Sequence, residues 1–267
     1  MRTLIVVPAR YGSTRFLRKP LAEINGISMV RRTARIAQKA SEKIGGCDYV
    51  VATDHEEIKA HCQTHNIPAL MTDKDLSTGS DRAHAAGQLS TPSPDIIINL
   101  QGDAPFTPVD YVTALGEALK SGADVATPYV QLSWTALDAL RQHKKATPFS
   151  GTCVIIGPDN QAIWFSKNII PAIRKEPQLR ESSDMSPVCR HVGLYAYKRE
   201  ALEQFVNWPE SHFEKLEGLE QLRLLENGLS ITCVKVAPPK IATPGIDTPE
   251  DLALAERLIR EHGDPFS

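Results

Sequence analysis

A chain of 267 residues, 42% apolar and 23% charged, can bury a full core and has the balance of a folded protein rather than a disordered one. Its formal net charge of −2 argues against the general basic surface of a nucleic-acid or membrane-surface binder. No apolar run approaches the roughly 20 residues of a membrane span. MRTLIVVPAR has too short an apolar stretch for a signal peptide. The cysteines Cys47, Cys62, Cys153, Cys189 and Cys233 form no CxxC pair, so neither a disulfide framework nor a zinc site is expected. A reduced, cytoplasmic protein is expected.

In chain order, TLIVV reads as a buried strand ended by Pro8. Residues 28–41 read as a helix, DYVVATD as a strand, and HEEIKAHCQTHN as a helix running up to Pro68. DIIINLQGD is a buried strand ending at a Gly-Asp turn, followed by the helix PVDYVTALGEALKSG. Continuous apolar strands separated by helices imply a parallel sheet covered on both faces, with ligands beyond the carboxyl ends of its strands. PARYGSTR, ATDHEE and LQGDAP lie at such ends. Further on, CVIIG and QAIWFS read as a hairpin around PDN, and the polar residues 172–190 as a mobile loop. HVGLYAYK is a strand, and REALEQFVNW and EGLEQLRLLENG are helices. SITCVKV is a strand. TPEDLALAERLIREHG is a helix with Thr248 as N-cap and Pro249 at its first position.

The stretch PARYGSTRFLRKP after the first strand carries Arg10, Arg15, Arg18 and Lys19. Arginine forks and a lysine point charge in one loop at a strand end suit a polyphosphate. Gly12 would let the backbone approach it. Neither GxGxxG nor GxxxxGK[ST] is present, which disfavours a dinucleotide site and a P-loop. A polyphosphate usually brings a divalent cation that needs hard oxygen ligands. Asp103 in LQGD and Asp247 in GIDTPED are candidates, although spacing alone does not bring them together. His61 and His65 have a metal-ligand spacing on a predicted helix, but no third ligand is evident and a solvated face is expected.

PARYGSTRF–KPL, ATDHEEI, STGSDR, NLQGD-P, WFSKNIIP, RHVGLYAY, LEGLEQLRLLENG and GIDTPEDL occur in the same order as in the CMP-Kdo synthetases, the 3-deoxy-manno-octulosonate cytidylyltransferases. The chain resembles this family from about residue 3 to about 256. The resemblance implies an α/β fold: a Rossmann-like nucleotidyltransferase sheet, mostly parallel, with a smaller β-rich part that also makes a homodimer. Residues of about 1–130 and 230–267 would form the nucleotide-binding part of one domain, and about 131–229 the acceptor and dimerisation part. Arg10 and Lys19 would lie on the phosphates of CTP, joined at the nucleotide by Thr78, Gly79, Arg82 and Gln101. The backbone near Ala9 and the Thr78–Gly79 turn would read the cytosine. Asp103 and Asp247 would carry magnesium, with Arg10, Lys19 and Asp103 as catalytic residues. Gln101, His191, Tyr195, Glu220 and Gln221 would face the acidic sugar acceptor.

Where the family usually has RLPGKP, this chain has Leu17-Arg18 in place of the Pro-Gly pair. Ala104 replaces the acid of QGDEP, Gly151-Thr152-Cys153-Val154 lacks the lysine of VKVV, and Lys167 stands for the arginine of FSR. The acceptor side departs further than the nucleotide side. The expected reaction is attack of an acceptor oxygen on the α-phosphorus of CTP with release of pyrophosphate. The alternatives are another acidic acceptor, such as an amino-substituted ulosonic acid or a phosphonate, or a non-catalytic nucleotide-binding regulator.

Overall fold

The computed structural model describes residues 1–12, 16–241 and 245–266. Arg15, Ser13 and Thr14 of the cationic stretch lie outside them. The elements in chain order are β1 (Thr3–Ala9), β2 (Glu23–Ile24), β3 (Ile27–Ser28), α1 (Met29–Lys43), β4 (Cys47–Thr53), α2 (Glu56–Thr64), β5 (Ala69–Met71), α3 (Gly79–Leu89), β6 (Ile96–Asn99) and α4 (Val109–Lys120). There follow β7 (Val125–Ser133), α5 (Trp134–Ala146), β8 (Cys153–Ile156), β9 (Ala162–Ser166), α6 (Glu176–Ser182), β10 (Met185–His191) and β11 (Tyr195–Lys198). The chain ends with α7 (Arg199–Asn207), α8 (His212–Glu217), α9 (Leu222–Glu226), β12 (Thr232–Lys235) and α10 (Pro249–His262).

One ten-stranded sheet runs β5-β4-β1-β6-β11-β7-β10-β8-β9, with β12 beside β7. β5, β4, β1 and β6 are parallel, and β11 inserts antiparallel between β6 and β7. From these pairings and those of β8, β9, β10 and β12, seven of the ten strands point one way. The small pair β2–β3 is separate. Alternation along β1 explains both cores. Ile5 and Val7 pack with Val30 and Ala34 of α1 and Val112 and Leu115 of α4. Leu4 and Val6 face the other way, into a core with Ala83 and Ala86 of α3 and Leu202 and Phe205 of α7.

Several expectations are corrected. β1 runs through Pro8 to Ala9 rather than stopping at the proline, and the third strand stops at Asn99, leaving LQGD as a loop. HVGLYAYK is not one strand: His191 closes β10, and β11 starts only at Tyr195. In EGLEQLRLLENG the second helix covers only Leu222–Glu226. Residues 172–190 hold a helix and a strand instead of a mobile loop. Their hydrophobic pattern is weak because polar contacts replace apolar ones. Buried Ser186 on β10 donates to Leu132 O at 2.8 Å. On α6, Glu176 takes 2.7 Å bonds from Arg141 and Arg180, and the two guanidinium groups hold its carboxyl down to about 2. Arg180 also sits 4.6 Å from the Trp134 ring centroid.

The chain end closes the structure over the first loop. Thr248 and Asp251 form the capping box that starts α10, with Pro249 in the first turn. Ile246, Ala255 and Ile259 join Ile24, Met29 and Phe106 in a small core. At the far end, the guanidinium of Arg32, 1% exposed, takes Asp264 bidentately at 2.7 and 2.8 Å and also donates to Ile24 O at 2.7 Å. One buried cation thus ties α1, β2 and the end of α10 together. Removing the acid leaves the charge uncompensated, so Asp264→Ala should cost about 3 kcal/mol in urea unfolding at neutral pH. Arg32 holds the folded Asp264 carboxyl at about 2. The pair's contribution is therefore complete above the unfolded value of about 4 and lost as pH falls towards 2, so parent and variant should converge over that interval. Equal stability at neutral pH would contradict the clamp.

Candidate active site

Glycines bring the strand ends together. A Cβ on Gly102 would lie 2.2 Å from Pro8 O, so only glycine lets the LQGD loop close against the end of β1. A Cβ on Gly245 would lie 3.4 Å from the Asp103 carboxyl carbon, and Ile246 N donates to Asp103 O at 2.9 Å. GIDTPED is thereby laid directly over LQGD. The consequence is that Asp103 and Asp247 meet. Lys19 Nζ donates to Asp103 Oδ2 at 3.2 Å and to Asp247 Oδ1 at 3.0 Å. The lysine is 16% exposed and the two carboxylates 31% and 37%. Among the described residues no cluster of three or more His, Cys, Asp or Glu is placed to hold a metal.

These three side chains border a cleft of about 240 Å³ that Arg10, Thr78, Gly79, Arg82 and Gln101 also line. A larger hollow of about 830 Å³ between α1, α4 and the chain end contains none of them, so the converging charges rather than the volume mark the candidate site. Arg10 reaches Ser77 O at 3.5 Å from the rim. Thr78 caps α3, its hydroxyl taking Asp81 N at 3.0 Å while Asp81 takes Thr78 N at 3.0 Å. A Cβ on Gly79 would lie 3.3 Å from Gln101 Oε1, so the start of α3 packs against that amide. Ala9, 2% exposed, ends β1 beside Thr53.

Arg82 touches the cleft, but its guanidinium is committed to the protein. It donates to Thr72 Oγ1 at 2.5 Å and Asp73 O at 3.2 Å, and lies 3.4 Å from Asp54 Oδ2. Asp54 also takes Tyr11 N at 2.9 Å, and the Tyr11 ring stacks on His55 at 3.6 Å. Asp54 is a fastening residue that sequence reasoning missed; its position in ATDHEE at the end of β4 was the available signal. His61 is not a bare surface group, since its Nε2 lies 2.8 Å from Ser28 Oγ.

The residues expected on the acceptor side gather one and two strands over, above β6, β11 and β7. His191 is 9% exposed, and burial, with Lys167 nearby, pushes its imidazole down to about 3. Its Nε2 lies 2.8 Å from Thr127 Oγ1, which lies 2.8 Å from Leu194 O. The carbonyl only accepts, so Thr127 donates to it and the neutral His191 donates from Nε2 to Thr127. Nδ1 is then the bare, accepting nitrogen. Tyr195 is buried 5.4 Å from the His191 ring, and burial raises its phenol well above the usual value. Glu220 accepts from Ser80 Oγ at 2.9 Å. Buried Gln221 Nε2 has no hydrogen-bond partner among the described residues.

Arg18 turns away from the cleft. It forms an ion pair with Glu57 on α2 and holds a left-handed backbone, φ 59°, where the resembling family has glycine. Glycine adopts that backbone at no steric cost, whereas arginine does so under mild strain. A left-handed L-residue costs about 1 kcal/mol, and an exposed pair returns about half of that. Arg18→Gly should therefore shift stability by less than about 1 kcal/mol. Arg18→Ala should change nucleotide KM less than about threefold; a tenfold rise would place the side chain in the cleft after all.

The sequence model of a family described as cytidylyltransferase matches residues 4–231. A 3-deoxy-manno-octulosonate cytidylyltransferase of Maricaulis maris is 38% identical over 267 residues, covering 99% of each chain. That of Gemmatimonas aurantiaca is 39% identical, covering 96% of this chain and 93% of its own. Among solved structures, a CMP:2-keto-3-deoxy-manno-octonic acid synthetase complexed with CTP superposes with a TM-score of 0.81 at 31% identity, covering 98% of this chain and 99% of that one. A 4-diphosphocytidyl-2C-methyl-D-erythritol synthase of Anaerococcus prevotii, at 13% identity and a TM-score of 0.59, shares the fold alone. Matched in sequence and in structure over nearly its whole length, the chain belongs to the 3-deoxy-manno-octulosonate cytidylyltransferase (CMP-Kdo synthetase) family.

Proposed function

We propose that the protein transfers CMP from CTP to 3-deoxy-manno-octulosonate or a near relative of it, releasing pyrophosphate and supplying an activated sugar for lipopolysaccharide synthesis. The observation that carries this reading is the meeting of Asp103 and Asp247 on Lys19, in a chain so similar to a synthetase complexed with CTP. The anomeric 2-hydroxyl gives up its proton to solvent water as its oxygen attacks the α-phosphorus, and the bond to the bridging oxygen of pyrophosphate breaks. Arg10 and Lys19 bind the phosphates and offset charge on the leaving group. Gln101, which lines the same cleft, would contact both the nucleotide and the acceptor. His191, neutral and accepting at Nδ1, hydrogen-bonds the acceptor and is too weak a base to deprotonate it. Ala9 and the Thr78–Gly79 turn offer the backbone against the base.

The donor set fits magnesium. Two carboxylates within reach of one ammonium mark a point where a compact cation is already held, and magnesium takes one or two carboxylates together with substrate phosphates. Asp103 and Asp247 would hold it, and it would lower the pKa of the attacking hydroxyl and neutralise phosphate charge. Lys19 then moves its charge to the phosphates. A cytoplasmic homodimer completes the reading. Residues of about 131–229 form the acceptor and dimerisation part, and exposed Ile163 on edge strand β9 with Phe213 and Leu216 on α8 give it an apolar contact face.

The test is pyrophosphate release with CTP, UTP and ATP against Kdo, an amino-substituted ulosonic acid and a phosphonate. CTP with Kdo should lead, with UTP poorer by about tenfold or more. Asp103→Asn and Asp247→Asn should each lose about 3 kcal/mol of transition-state stabilisation without unfolding. Preference for the phosphonate would change the acceptor, and no turnover with any pair would favour a nucleotide-binding regulator.

A further inference from the structure

Beneath the acceptor side lies a chain of hydrogen-bonded polar groups centred on Ser80. Ser80, 0% exposed in the first turn of α3, sits between β6, β11 and the segment before α9. Its Oγ lies 3.4 Å from Nδ2 of buried Asn99 at the end of β6 and 2.9 Å from Glu220 Oε1. The Tyr197 phenol on β11 also reaches Ser80. An amide nitrogen only donates, so the serine accepts from Asn99 and has its one proton to give to Glu220. A carboxylate so held cannot rotate freely.

We propose that Ser80 is a positioning residue for the acceptor: its hydroxyl, oriented by Asn99, fixes the Glu220 carboxylate in the ionised, hydrogen-bond-accepting state in which it receives hydroxyl groups of the sugar acid. The inference rests on the reading of Glu220 as an acceptor-facing group. The surroundings make such a device necessary. Burial raises the Glu220 carboxyl, and the Ser80 bond is the foremost influence opposing it. Arg223 of α9 also favours the charge, although it is already paired with Glu214 at 2.5 Å, while Glu214 of α8 and Asp81 of α3 oppose it. The neighbouring phenols of Tyr195 and Tyr197 stay neutral, their values raised by burial. Next along the chain, Gln221 Nε2 is a buried donor without a partner among the described residues, so the pair presents one held acceptor and one open donor.

The test compares Ser80→Ala, Ser80→Thr and Glu220→Gln in kinetics with Kdo and CTP across pH. Ser80→Ala should raise the acceptor KM about tenfold and leave the CTP KM within about twofold. Losing the donor raises the Glu220 pKa, so the acidic limb of the acceptor kcat/KM should move to higher pH, by about half a unit or more. Ser80→Thr, which keeps the hydroxyl, should restore both. Adding Ser80→Ala to Glu220→Gln should cost little further, because the serine acts through the acid. A pH-independent loss in Ser80→Ala, shared equally by CTP and acceptor, marks a structural role and overturns the proposal. A Glu220→Gln defect without a Ser80→Ala defect overturns the proposal alone. An unaltered acceptor KM in Glu220→Gln overturns both it and the acceptor reading beneath it.

Discussion

One ammonium shared by two carboxylates organises this protein. Lys19 comes from the segment after β1, Asp103 from the loop after β6, and Asp247 from the turn before the last helix. Without Lys19, two acids would face each other across a cleft, and like charges at that range repel. With it, the arrangement is compact but exchangeable. On the proposed reading, Asp103 and Asp247 would hold a divalent cation with these same oxygens, and Lys19 would then serve the polyphosphate. The exchange requires that none of the three be buried, and each retains some access to solvent.

The fold supports this contact from behind. β1, β4 and β6 end side by side, which sets three loops at one edge. Asp54 and Arg82 fasten the neighbouring loops to each other, and Gly102 allows a close approach to Pro8 O that a side chain would prevent. Arg32 and Asp264 hold the chain end, so that α10 delivers Asp247 from the correct side. The acceptor side is built differently. His191, Tyr195 and Gln221 are deeply buried, and their polar atoms are set by single hydrogen bonds or left open. If these residues receive the acceptor as proposed, the site would discriminate by leaving its polar groups unpaired when the wrong molecule enters.

The parallel half was legible because β1, β4 and β6 are buried on both faces and read as unbroken apolar runs. The start of α10 was legible because Thr248, Pro249 and Asp251 are cap chemistry that acts locally. The convergence of Asp103 and Asp247 was legible only through the family resemblance and not from spacing, since they lie 144 positions apart and long-range contacts of the loops and chain end bring them together. β10 escaped notice because Ser186 fills an inward position through a backbone hydrogen bond. Arg18 shows another limit: it holds a left-handed backbone that glycine would favour, and its side chain pairs with Glu57, a partner no spacing indicates. Ser80 and Asn99 stand inside quoted motifs, yet their roles depend on which neighbour donates.

The central proposal is that Asp103 and Asp247, joined on Lys19 in this structure, together hold a metal ion once nucleotide is bound. A crystal structure with CTP and magnesium tests it most directly. The account predicts a magnesium ion bound by Asp103 and Asp247 together, with Lys19 Nζ withdrawn from both and in contact with phosphate oxygens. Magnesium held elsewhere, with the Lys19 bridge still closed between the two carboxylates, would contradict it.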